Sequence, residues 1–198
     1  MKKFFAVVVL AFVTLSMNAQ DFKKFRFGPA AGLNISKMSG SSSKIGFNVG
    51  ARAEYNFSDN FYLGSGLLFT MKGFKETAEA QGYKATVKAN PFYLEIPINA
   101  GYRYNFSEKF SLFGEVGPYL GFGIAGKYKQ SIEPAIEGYE NTSVNFFPGG
   151  KRFDFGIGFA AGCEFSKFQV RVGYELGLTK VLGDAKNKNL FVGVAYMF

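Results

Sequence analysis

Glu54, Glu95 and Glu164 are carboxylates that could do acid–base work, and each stands in a segment of alternating apolar and polar residues. Acid–base or nucleophilic catalysis needs partners for them, and the 198-residue chain contains no His. A Ser–His or Asp–His arrangement therefore cannot be built. A Ser or Thr hydroxyl activated by Lys is chemically allowed, but no spaced motif supplies one. The single cysteine, Cys163, cannot close an intramolecular disulfide. One Cys, no His and acids scattered over separate loops also make a poor metal-ligand set. The glycines of Gly156-Ile157-Gly158 and Gly121-Phe122-Gly123 lie inside alternating segments rather than between a strand and a helix, so they are not phosphate cradles. These residue types argue against an enzyme, a cofactor and a metal site.

What remains is an ionic constellation. Arg26, Arg52, Arg103, Arg152 and Arg171 fall on one face of the alternating segments, with Glu54, Glu95, Glu115, Asp154, Glu164 and Glu175 on the same face. Brought together inside a fold, such groups form bidentate, charge-assisted pairs that stay buried only in each other's company. The same groups could instead line a selective pore or a proton path. A pore selective for one sign of ion would carry an excess of one charge, whereas here five cations face six anions. Near balance favours a packed salt-bridge interior.

The elements that must position these residues are strands. Period-two alternation runs through eight segments, at 25–36, 44–57, 61–73, 91–106, 110–126, 152–165, 168–181 and 189–198. In the fourth, Phe92, Leu94, Ile96, Ile98, Ala100, Tyr102 and Tyr104 alternate with Tyr93, Glu95, Pro97, Asn99, Gly101, Arg103 and Asn105. Connections alternate too: 58–60, 107–109 and 166–167 are short, while 37–43, 74–90, 127–151 and 182–188 are long. The phrase Tyr-Asn-Phe-Ser recurs at Tyr55–Ser58 and Tyr104–Ser107, and Phe165-Ser166 repeats its second half. Phe57, Phe61, Phe106, Phe110, Phe165 and Phe168 thus flank the short turns, and the chain ends on Phe198. Aromatic rings on the shoulders of short turns are what a membrane barrel places at headgroup level. An even strand count with short turns inside and long loops outside predicts an all-β, eight-stranded antiparallel up-and-down transmembrane barrel with short periplasmic turns and long extracellular loops.

Volume decides which face points out. An eight-stranded barrel is only just wide enough for its own side chains. The charged face is interleaved with glycines such as Gly28, Gly50, Gly64, Gly158 and Gly173, which make room for arginine and glutamate. The opposite face is Phe, Leu, Val, Ile and Tyr, and is expected to meet lipid. A soluble ligand-carrying barrel would invert this arrangement. Pro97 and Pro118 fall within strands, where each removes a ladder donor, so bulges are expected near them.

Residues 1–19 read as a cleaved signal peptide: Lys2 and Lys3, an apolar run from Phe4 to Leu15, and Met17-Asn18-Ala19 before Gln20. The apolar run is too short to span a membrane as a helix. Residues 20–198 form the barrel domain, and export to the outer membrane of a Gram-negative cell is expected. The formal charge of +8 falls to +6 without the two signal lysines. With arginines on one strand face and lysines at strand ends, this basic balance does not indicate nucleic acid. The long connections carry Lys37, Lys44, Lys72, Lys75, Lys84, Lys88, Lys127, Lys129, Lys151, Lys180, Lys186 and Lys188 against Glu76, Glu79, Glu133, Glu137, Glu140 and Asp184. Such a rim suits the phosphates of lipopolysaccharide, and equally serves as ordinary solubilising charge. Tyr128, Tyr139, Phe146 and Phe147 in the 127–151 connection are aromatics suited to anchoring a protein partner, or to folding back as an inner lid.

Phe92-Tyr93-Leu94-Glu95-Ile96-Pro97-Ile98 resembles the "YLEIPL" strand of the PorT-like outer-membrane β-barrels of Bacteroidota, where a proline in that strand is usual. Arg152-Phe153-Asp154-Phe155-Gly156 and Tyr174-Glu175-Leu176-Gly177-Leu178-Thr179 are similar to the family's sixth and seventh strands, and Gly32-Leu33-Asn34-Ile35-Ser36 to its first. The resemblance implies an outer-membrane barrel inserted by the barrel-assembly machinery through its C-terminal aromatic strand. It implies little about activity. A non-enzymatic structural or interaction role is expected, with a narrow channel or a protein-secretion component as alternatives.

Overall fold

The computed structural model describes residues 24–80, 83–134, 142–147, 152–181 and 183–198. The expected signal peptide lies outside them, as do Tyr139 and Lys151. Ten strands form one antiparallel sheet: β1 (Phe25–Met38), β2 (Ser42–Asn56), β3 (Phe61–Met71), β4 (Phe74–Ala80), β5 (Tyr83–Ser107), β6 (Phe110–Glu133), β7 (Thr142–Asn145), β8 (Phe153–Phe165), β9 (Phe168–Gly177) and β10 (Asn187–Tyr196). Eight of them close a ring in the order β1, β2, β3, β5, β6, β8, β9, β10, with β10 returning to β1 from Ala30↔Ala195 to Met38↔Asn187. Closure leaves no free edge around the barrel wall. Phe198 tightens the seam, its backbone N–H donating to Phe27 O at 2.9 Å.

The remaining two strands correct the expected loops. The stretch 74–90 holds β4 and the first residues of β5, paired from Phe74↔Ala89 to Ala80↔Tyr83. Within 127–151, β6 continues to Glu133 and β7 adds a short strand beside it, from Lys127↔Asn145 to Gln130↔Thr142. Beyond the ring the sheet thus extends as a tall β4–β5–β6–β7 ribbon. Lys, Glu and Ala are weak strand formers, so the period-two signal fades there although the pairing continues.

The prolines are accommodated differently from expectation. The β5–β6 register shifts between Phe92 and Tyr93 and between Asn105 and Ser107, but it is the same on both sides of Pro97, Pro118 and the residues between them. Instead of bulging, the ladder skips Ile98–Asn99 opposite Gly117–Pro118. Gly117 permits this close approach: a Cβ there would sit 1.9 Å from Ile98 O. Ser65 Oγ donates to Pro97 O at 2.9 Å, serving a carbonyl where the ladder is interrupted.

Alternation sorts the side chains by face. Leu33, Ile45, Val49, Leu67, Leu94, Phe122, Ile157 and Val192 are exposed, while Arg52, Glu54, Lys72, Glu95, Asp154 and Gln169 are buried. This is the reverse of a water-soluble barrel, and it places the charged face inside. Among the described residues the larger of two buried apolar clusters lies at the long-loop end, where Met38, Phe74, Ala89, Tyr93, Phe146, Phe147 and Val181 pack together.

Candidate functional site

The barrel interior holds two ionic layers stacked along the axis. The layer toward the short turns contains four arginines and three glutamates. Arg26 grips Glu164 with both Nη atoms at 2.7 Å and reaches Glu54 at 3.2 Å. Arg103 Nη2 donates to Glu54 Oε2 at 2.6 Å, and Gln169 Nε2 bridges Glu54 (2.8 Å) and Glu164 (2.9 Å). Glu115 takes Arg52 on Oε1 and Arg171 on Oε2, both at 2.6 Å, and accepts the Tyr62 hydroxyl at 3.0 Å. The Arg103 guanidinium lies 4.5 Å from the centroid of the Tyr62 ring. Room for that ring comes from Gly101, where a Cβ would lie 2.2 Å from Tyr62 Cζ. Each carboxylate therefore accepts several donors, the condition under which buried ions are tolerated.

The layer toward the long loops carries one lysine against three carboxylates. Lys72 Nζ bonds Glu95 and lies 2.9 Å from Glu175, over the Tyr119 ring at 4.2 Å. Asn189 donates to Glu175 at 3.0 Å. Asp154 has no cation within ion-pair distance among the described residues and is held instead by Asn187 (2.8 Å), Thr179 (3.0 Å) and Tyr119 (3.3 Å). Between the layers is a small cavity of about 40 Å³, lined by Asn34, Arg52, Asn99, Arg171, Glu175 and Asn189 among others. That is space for a few waters.

Tyr93, Phe146 and Phe147 cover the upper layer. The Phe147 ring meets Tyr93 edge-on at 5.6 Å and Phe146 at 5.0 Å. It sits over Gly123, where a Cβ would come within 2.3 Å of Phe147 Cζ. Phe146 and Phe147 are therefore buried lid residues and not exposed anchors for a partner, and Tyr128 packs half-buried against the same cluster.

The geometry brings Arg26, Arg52, Glu54, Arg103, Glu115, Glu164 and Arg171 together in one layer, and Glu95, Asp154 and Glu175 in the other. Arg152 is the correction. It makes no ion pair among the described residues; Nη1 donates to the carbonyls of Gly123 (3.2 Å) and Ile124 (3.4 Å), and its guanidinium lies 5.7 Å from the centre of the Phe147 ring. The residue missed was Lys72, assigned by type to a loop. Its parity with Tyr62, Gly64, Leu68 and Thr70 was the available signal, since all of them are buried on the same face. The neutral partners Tyr62, Tyr119, Gln169, Asn187 and Asn189 left no signal beyond that parity.

The short-turn end carries the aromatic residues. Phe57, Phe61, Phe106, Phe110, Phe165, Phe168 and Phe198 are all exposed, and Phe61 pairs with Tyr102 at 5.0 Å, Phe106 with Tyr104 at 4.8 Å and Phe198 with Tyr196 at 5.0 Å. An exposed apolar wall between an aromatic girdle and a charged ribbon is the surface of a barrel that crosses a bilayer.

Solved structures similar to this chain include three outer-membrane barrels. Neisserial surface protein A is 16% identical, with 88% of this chain and 97% of that chain covered and a TM-score of 0.45. The attachment invasion locus protein Ail of Yersinia pestis, in complex with the heparin analogue sucrose octasulfate, is 18% identical over 88% and 99% of the two chains, with a TM-score of 0.42. The N-terminal β-barrel domain of Pseudomonas aeruginosa OprF is 11% identical over 88% and 98%, with a TM-score of 0.43. No curated protein matches the sequence. Residues 18–183 match the family described as outer membrane protein beta-barrel domain, and the chain belongs to that family: it is an outer-membrane β-barrel protein.

Proposed function

We propose that this protein is a non-enzymatic barrel that works as a structural or interaction element of the outer membrane, through the ribbon that projects from its extracellular end. The observation that carries the reading is the filled interior. Two ionic layers occupy the lumen, the gap between them is about 40 Å³, and Phe147 with Tyr93 covers the upper one. Among the described residues this packing leaves no open path along the axis, which supports a closed barrel whose outer surface is the working part. Planar-bilayer recording tests this: the folded protein is expected to give no steady conductance, and ohmic, ion-selective steps would overturn the closed-barrel reading in favour of a narrow channel.

The finer placement among the PorT-like barrels of Bacteroidota is supported by Leu94-Glu95-Ile96-Pro97, with Glu95 taking Lys72 inside the barrel and Pro97 at a gap in the β3–β5 ladder. Co-purification with secretion components from intact membranes would assign the secretion role, and its absence would leave the structural one. Insertion by the barrel-assembly machinery through the strand ending at Phe198 follows the same resemblance.

A further inference from the structure

Like charges directly opposite one another weaken a β-ladder, yet three lysines stand abreast across β4, β5 and β6: Lys75 opposes Lys88, and Lys88 opposes Lys129. All three are exposed and none has an ion pair among the described residues. The neighbouring row, Phe74, Ala89 and Tyr128, turns inward to the apolar cluster, so the lysines face outward. On β6 this facing depends on the register shift opposite Phe92 and Tyr93. Gly123 pairs with the inward Tyr93, but Ala125 pairs with Phe92, so one extra residue, Ile124, moves Lys127 and Lys129 from the interior to the outer face.

The outer face of the ribbon is banded. Phe92 opposes Ala125 and continues the lipid-facing row of Leu94 and Ile96; Asn90 then opposes Lys127, and above them runs the lysine row. Next comes a hydroxyl row, Thr77–Thr86–Ser131, and at the tip Lys84 opposes both Glu79 and Glu133. Among the described residues, the acids on this face are thus already opposite Lys84, with Glu79 at 3.2 Å from it, and none pairs with the lysine row. Lys44, bonded through Nζ to Asn90, adds to the field: partial burial and then the charges of Lys88 and Lys129 lower its pKa. Against the same face lies a surface groove of about 450 Å³, apolar at its barrel end (Phe92, Ile124, Ala125) and polar beyond (Asn90, Lys127, Lys129).

Position selects the ligand. At about 3.3 Å rise per residue and a tilt of roughly 40°, the run from the girdle residue Tyr104 to Phe92 covers about 30 Å along the bilayer normal, so Phe92 stands near the outer boundary of the hydrocarbon and Lys88 about 10 Å above it. That is the depth of the outer leaflet's phosphates. We propose that the outward groove at Lys127 and Lys129, together with Lys88 and Lys75 in the row that continues from Lys129, binds the phosphate groups of an outer-leaflet saccharolipid, with an acyl chain lying along Phe92 and Ile124 and the sugars against the hydroxyl row. A phosphate there neutralises the opposed ammonium groups, and it supplies the anion that none of the described residues gives them. The site rests on the outer-membrane reading with the ribbon outside, and it is independent of whether the lumen conducts.

The test uses the full mature chain in phosphatidylcholine nanodiscs, titrated with bis-phosphorylated lipid A, dephosphorylated lipid A and inorganic phosphate. Lipid A is expected to bind, and Lys88→Gln with Lys129→Gln to weaken it on the order of tenfold or more. Lys88→Arg with Lys129→Arg should retain binding, as should Lys109→Gln with Lys167→Gln at the opposite end. A second readout is thermal: without lipid A, Lys88→Gln melts above the parent because the opposed charges are gone, and with lipid A the order reverses. Equal affinity for the parent and the Lys88→Gln, Lys129→Gln variant overturns the site. Equal affinity for dephosphorylated lipid A overturns the phosphate assignment, and full competition by inorganic phosphate overturns the lipid assignment. Conductance measured on the same preparations bears on the closed lumen alone.

Discussion

Replacing Glu115 with glutamine keeps its shape and removes a charge shared by two buried guanidinium groups. Arg52 donates to Glu115 Oε1 and Arg171 to Glu115 Oε2, both at 2.6 Å, and Tyr62 adds a third bond at 3.0 Å. Glu115 is 4% exposed and Arg52 1%, so bulk water is kept from the lost interaction, and the small cavity beside Arg52 and Arg171 offers at most a few waters in its place. A hydrogen bond to a charged group contributes about 1.5–3 kcal/mol, and breaking a buried pair by removing one partner costs about 3–5 kcal/mol because the remaining charge is uncompensated. Arg52 retains Glu54 at 3.5 Å, which limits the damage to this range rather than doubling it. The double variant Arg52→Gln, Glu115→Gln removes one stranded cation, and its loss should fall short of the summed single losses by about 1 kcal/mol or more. Because the chain has no Trp, folded fraction is best read from the migration of unheated samples in gels after urea titration in lipid vesicles. A loss below about 1 kcal/mol, with additive singles, would refute the reasoning: it would mean a wet interior in which the ions are screened like surface pairs.

Other outcomes follow from the same geometry. Arg at Ile157, on the exposed apolar wall, should cost about 2–4 kcal/mol of insertion free energy in vesicles, whereas Arg152→Gln, which loses carbonyl contacts and a distant approach to the Phe147 ring but no ion pair among the described residues, should stay within about 1 kcal/mol in the same urea titration. Gly101→Ala places a methyl 2.2 Å from Tyr62 Cζ and should push that ring off Glu115, destabilising by about 1–3 kcal/mol in that assay. Deleting Phe198 removes a backbone bond to Phe27 and the rings' contact at the seam, and should deplete the protein from the outer-membrane fraction on membrane fractionation.

Period-two alternation was sufficient to read the eight ring strands, because a strand whose faces meet lipid and a packed lumen writes that difference into every second residue. The facing could be read for the same reason: glycine relieves the arginine-bearing side and little relieves the phenylalanine side. The ribbon was not legible. From Phe74 to Ala89 both faces are rich in Lys, Glu, Thr and Ala, so no periodicity separates strand from loop, and only the pairing of β4 with β5 and of β5 with β6 reveals it. Pro97 and Pro118 suggested bulges that the register does not show, since a gap opposite Gly117 suits the missing donors without an extra residue.

The members of the interior set follow from their types, but their partners do not. Composition and parity determine that arginines and carboxylates share a closed lumen; they cannot tell that Glu115 serves Arg52 and Arg171 while Asp154 is held only by neutral groups, because those contacts join residues 25 to 63 positions apart in the chain. Lys72 and Arg152 show the limit most clearly. Both lie at strand ends, where parity alone cannot say whether the chain is still inside the sheet; closure of the ring carries Lys72 inward to Glu95 and Glu175 and leaves Arg152 on the rim with backbone carbonyls. The outward lysine row was likewise decided in three dimensions, by one extra residue at Ile124 that reverses the facing of everything after it on β6.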